Sequence, residues 1–138
     1  MSKSLALQAA LRAAFVASPA VLDLVPAAQI IDRNRRPYPS PSVIIGEGIA
    51  GPDSGNVRRD RQELFAVLDV WQDSPSTEGV KQIMGALWDA MKLDPRPALE
   101  GGYHLADWQV YRERVMRDPN GTTVHGVLTV QALICGGA

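Results

Sequence analysis

A chain of 138 residues with 46% apolar and 21% charged side chains is long enough for a real core, and its balance is that of a folded protein, not a disordered one. Its net charge of −1 supplies no global basic field for nucleic acid. One cysteine, Cys135, excludes an intrachain disulfide, no apolar run nears the ~20 residues of a membrane helix, and no leader pattern opens the chain; a soluble cytoplasmic protein is expected.

Residues 4–17 predict a helix. Leu7, Ala10, Leu11, Ala14 and Phe15 make one apolar stripe, and the alanines raise helix propensity. Ser18-Pro19 stops it, and residues 20–25 allow one further short turn. Residues 29–31 read as a short strand and 43–47 as another, separated by a charged loop with Pro37, Pro39 and Pro41. Residues 48–56 carry three glycines and Pro52 and read as a second loop. Residues 58–71 predict a long strand whose end is apolar on both faces: Leu64, Ala66, Leu68 and Val70 on one, Phe65, Val67 and Trp71 on the other. Such a strand is central in its sheet or covered by a partner.

Ser74 suits an N-cap and Pro75 a first helical residue. Val80, Ile83, Met84, Leu87, Trp88 and Met91 then form a helical stripe, closed by Asp94-Pro95. A β-hairpin follows between residues 103 and 134. In its turn Pro119 presets φ, Asn120 tolerates the second corner, and Gly121 takes the left-handed position. A three-residue loop would set Asp118 opposite Thr122. The expected pairs are then Arg117–Thr123, Met116–Val124, Tyr111–Thr129, Val110–Val130, Gln109–Gln131 and Trp108–Ala132, with Arg112 and Arg114 interrupting the apolar face. The whole, residues 1–138, reads as one α+β domain. It has a mainly antiparallel sheet of four to five strands, two main helices on one face, and a long C-terminal hairpin.

Candidate chemistry is sparse. His104 and His125 have no metal-ligand spacing, and Gly48 and Gly51, near a strand end, are followed by no predicted helix, so dinucleotide binding is not expected. No cofactor or metal is expected. Cys135 would need a base, His104 or His125, to act as a nucleophile, and no pattern links them. Trp71, Trp88 and Trp108 read as core, with a subunit contact as the other reading. The basic clusters Arg33, Arg35, Arg36 and Arg58, Arg59, Arg61 read as solvated charge; the alternative is a nucleic-acid contact, which predicts salt-sensitive retention on DNA.

Several segments, taken in order, resemble the small phage tail-completion proteins, the tail terminators of long flexible tails. They are the helix from Leu5 to Phe15, Pro37-Tyr38, Val43-Ile44-Ile45-Gly46-Glu47, and Leu68-Asp69-Val70-Trp71 before an amphipathic helix. Arg117-Asp118-Pro119-Asn120-Gly121 and His125-Gly126-Val127-Leu128 complete the set. The prolines between Tyr38 and Val43 and the ending Ile-Cys-Gly-Gly-Ala depart from that pattern. The resemblance implies a non-enzymatic protein that forms a ring, typically a hexamer, on the head-proximal end of a tail tube. Such a ring ends tube polymerisation and joins the tail to a head-completion or connector protein, in phages, prophages or gene transfer agents. Its partners would be itself and the major tail tube protein, with DNA passing through unread and no membrane involved. The protein would be cytoplasmic during assembly and then sit at the head–tail junction. The expected contact residues are Arg33, Arg35, Arg36, Tyr38, Gly51, Asp53, Asn56, Arg58, Arg59 and Trp71, mostly on the two Pro/Gly-rich loops, where function concentrates.

Overall fold

The computed structural model describes residues 2–32, 39–53, 60–92 and 96–136. In chain order the elements are α1 (Lys3–Val16), α2 (Pro19–Leu22), β1 (Ile30–Ile31), β2 (Ser42–Asp53), β3 (Arg61–Asp73), α3 (Glu78–Ala90), β4 (Tyr103–Arg117) and β5 (Thr123–Gly136). The fold is α+β. One five-stranded sheet runs in the order β1-β2-β3-β5-β4, antiparallel except for the short β1–β2 pair. The doubly apolar segment is central, as its composition requires: β3 lies between β2 and β5.

Alternation along the two central strands sorts the sheet into two faces. Leu64, Ala66, Leu68 and Val70 of β3, with Val124, Leu128, Val130, Ala132 and Ile134 of β5, are buried beneath the helices. The α1 stripe of Leu7, Ala10, Leu11, Ala14 and Phe15 is buried as expected, as are Val80, Ile83, Met84, Leu87 and Met91 of the second stripe. Each fully buried large side chain here contributes roughly 1.5–3 kcal/mol. Arg12 ties α1 to the start of the sheet: its Nε donates to the Ile30 carbonyl at 3.1 Å and its Nη2 to that of Ala27 at 3.3 Å. Trp108 is core, and its indole Nε1 donates to the Met91 carbonyl at 2.8 Å.

Four expectations need correction. First, Gly48 to Asp53 is not loop. It continues β2 against β3, and bulges between Ile45 and Gly48 and between Ala50 and Asp53 absorb the extra residues. Second, α3 starts at Glu78 with Thr77 as its cap. The Ser74 and Ser76 hydroxyls instead accept from the amides two residues on, at 3.2 and 3.1 Å, which holds that stretch as bends outside the helix. The helix ends at Ala90, and Asp94-Pro95 lies outside the described residues. Third, Trp88 is 40% exposed, at the margin of its stripe.

Fourth, the hairpin register differs near the turn. The Asp118 amide donates to the Thr123 carbonyl, so the loop holds four residues and not three. The Asn120 side-chain carbonyl accepts from the amides of both Thr122 and Thr123, at 2.9 and 3.0 Å, and draws Thr122 into the turn. Arg117 therefore pairs with Val124, Met116 with His125, and Arg112 with Thr129. A bulge at Tyr111 removes the offset, and the expected pairs Val110–Val130, Gln109–Gln131 and Trp108–Ala132 are present. Because one extra residue exchanges faces, the same bulge places Arg112 and Arg114 on the face opposite the helices, where they no longer interrupt the core.

Candidate functional site

The second face of the sheet carries no helix among the described residues. Its side chains are half-buried on β3 and β5 and largely exposed on β4, and they are mixed in character. Rows running across β3, β5 and β4 are Phe65–Gln131–Gln109, Val67–Thr129–Arg112, Asp69–Val127–Arg114 and Trp71–His125–Met116.

Two aromatic contacts organise this face. Near the hairpin end, Trp71 stacks on His125 with ring centroids 3.8 Å apart and planes 5° from parallel. The opposite registry of Trp71 and His125 makes that stack possible, and the His125 Nε2 lies 2.7 Å from Asp69 Oδ1, one row along. Nearer the middle, Phe65 meets Tyr111 edge-on at 5.2 Å. The bulge leaves Tyr111 56% exposed, and the Arg112 guanidinium sits 5.8 Å from its ring centroid. Phe65, Val67, Tyr111, Arg112 and Thr129 line an open apolar groove of about 310 Å³. The face is shaped for contact with another surface: aromatic area is presented with polar groups that fix orientation.

Of the expected contact residues, Trp71 lies on this face. Gly51 and Asp53 fall in the last residues of β2, at the outer side of the sheet. Arg33, Arg35, Arg36, Tyr38, Asn56, Arg58 and Arg59 lie outside the described residues. Phe65, Asp69, Tyr111 and His125 were not among the expected contact residues. Period-two alternation marked Phe65, but the bulge that exposes Tyr111 leaves no signal in the sequence.

The thiol reading gains nothing from the geometry. His125 is engaged with Asp69, and it lies ten residues from Cys135 along β5, roughly 33 Å in an extended strand. His104 is the cross-strand neighbour of Cys135, and no hydrogen bond joins the two among the described residues. Among the described residues no group of three or more His, Cys, Asp or Glu is placed to hold a metal ion. No helix is long and apolar enough to cross a membrane.

Comparison with known proteins defines the class. The model of the family described as Tail completion protein gp17 matches residues 9–135. The chain belongs to that family, and its role is a structural one in a phage-type tail. In fold it is similar to a chain in the solved structure "Virion of native gene transfer agent (GTA) particle", with a TM-score of 0.82 and 21% identity. That match covers 96% of this chain and 97% of the other. No curated protein sequence matches.

Proposed function

We propose that this protein acts as a single domain forming a ring, six copies around, on the head-proximal end of a finished tail tube. The ring ends tube polymerisation and presents the surface that a head-completion or connector protein joins. The family match over residues 9–135 carries this reading. The shape agrees with it. The chain presents a sheet face that carries no helix among the described residues, with half-buried Phe65, Val67 and Trp71, the kind of surface that a repeated contact covers.

The work is done by shape and by surfaces, without catalysis or cofactor, and DNA passes through the ring without being read in sequence. The protein is cytoplasmic during assembly and then resides at the head–tail junction of a phage, or of a gene-transfer-agent particle such as the one holding its fold relative. Electron microscopy of intact particles tests this. A ring of this chain between tube and connector is the expected result, and its absence from that junction would remove the proposal.

A further inference from the structure

Resting on the ring reading, we propose that neighbouring copies join helix to sheet: Trp88 of α3 in one copy enters the groove beside Tyr111 on the open sheet face of the next. Trp88 and Tyr111 are large apolar side chains that the fold leaves uncovered, at 40% and 56% exposure. They stand on opposite sides of the sheet. The α3 stripe packs on the face of Leu64, Leu68 and Leu128, whereas Tyr111 accompanies Phe65 and Arg112 on the other. A contact between two such unlike surfaces repeats head to tail, the kind that closes into a ring.

The surroundings of Trp88 suit a close approach. Gly85 lies one turn before it on the exposed side of α3, and nothing stands within 4 Å of its Cβ position. A glycine inside a helix weakens it, and among the described residues no packing requires this one. Against a neighbouring surface the missing side chain lets the helix backbone come near while the Trp88 indole reaches forward from the same side. The groove supplies the matching recess. It holds about 310 Å³ between Phe65, Val67 and Tyr111, with Arg112 at its rim. An indole seated there meets two aromatic rings and a guanidinium, the groups that anchor interfaces.

Charge argues for a protein occupant, and for this one. On β3, β5 and β4 the open face sets Arg61, Arg112 and Arg114 against Glu63, Asp69, Asp73 and Asp107, so it offers no basic field to nucleic acid. Beside the groove the charge is basic, at Arg112 and Arg114; beside Trp88 it is acidic, at Asp89. Asp89 meets Lys92 at 3.3 Å in an exposed pair, which is worth little, so it gains by turning to Arg112 where a contact excludes water. Lys92 also has a counterpart. It lies one helical turn beyond Trp88, ~6 Å, and the row of Glu63 and Asp107 lies one pleat beyond Phe65, ~7 Å. With the C-terminal end of α3 toward that row, Asp89 and Lys92 both face opposite charge on the neighbouring copy.

The test is photo-crosslinking in assembled particles, with the photoreactive p-benzoylphenylalanine in place of Trp88. The sheet stands between position 88 and the groove of the same chain, so a link from one to the other joins two copies. Irradiated particles should yield covalent multimers of this chain, with the linked peptides mapping to residues 65–67 or 109–112. A ring seen at the junction by microscopy, with position 88 linked to another protein, to a different surface of this chain or to nothing, overturns the contact and leaves the ring standing. Wild-type particles lacking this chain at the junction overturn both. A charge exchange serves as the second measurement. Arg112→Asp should lower the yield of joined particles about tenfold without changing the melting temperature of the isolated protein, and adding Asp89→Arg should restore the yield to within about twofold. Unchanged yield on reversal, or no rescue, counts against the proposal.

Discussion

At Gly126 the side chains of α3 pack directly on the sheet backbone, and replacing this glycine by alanine tests the packing directly. Gly126 lies on β5 between Val70 of β3 and Val115 of β4, beneath α3. A Cβ there would stand 2.6 Å from the Met84 Sδ and 2.7 Å from the Val80 Cγ1. Met84 is long and flexible and gives way at little cost. Val80 is fully buried, and a helical valine has one strongly preferred rotamer, so relief requires α3 to shift from the sheet. Overpacking of this kind costs roughly 1–3 kcal/mol, against a gain of about 0.5–1 from removing a strand glycine. The net loss is then about 1–2 kcal/mol. For a chain of 138 residues this lowers the melting temperature by roughly 3–7 °C.

Thermal denaturation followed by circular dichroism reads that shift. Gly85→Ala is the matched control: it lies on the exposed side of the same helix, with nothing within 4 Å of its Cβ position. It should raise stability by about 0.5–1 kcal/mol. Adding Val80→Ala to Gly126→Ala should cost less than Val80→Ala does in the wild type, because the two side chains compete for one space. A Gly126→Ala protein as stable as wild type would show that α3 does not approach β5 this closely.

Three further outcomes follow from local geometry. Gly121 has φ near 76°, so Gly121→Val should cost roughly 1–3 kcal/mol and lower soluble yield and melting temperature, with no defect particular to assembly. Trp108→Phe removes the donor to the Met91 carbonyl and should destabilise by about 1–3 kcal/mol by the same melting assay, whereas Trp71→Phe, on the open face, should affect joining of tails to heads more than melting. Cys135→Ala should leave particle titre unchanged; a loss of titre with rings intact would revive the thiol reading.

Much of the fold was legible because it rests on burial, and burial leaves a period. The α1 stripe and the two-sided apolar end of β3 announced a helix against a sheet and a central strand. What escaped was set by single residues acting on backbone. Gly48 and Gly51 read as loop, yet they lie in a strand whose bulges absorb the irregularity. Asn120 captured two amides where a shorter loop was expected, and Tyr111 silently reversed the faces of the residues after it. Neither event changes composition or period enough to be read in one dimension.

The candidate surface was less legible than the fold. Trp71 was found because an aromatic at the end of a two-sided strand has to be covered by something. Asp69, His125 and Tyr111 depend on register, which the sequence specified only for the half of the hairpin beyond the bulge. Membership of a tail-completion family supplied the role that no constellation of polar side chains announced.

The most direct measurement of the central claim is an electron-microscopy reconstruction of the head–tail junction in particles that carry this chain. The account predicts a ring of six copies of this chain seated between the last tube ring and the connector. A junction built without this chain, with tails of normal length joined to heads in its absence, would contradict it.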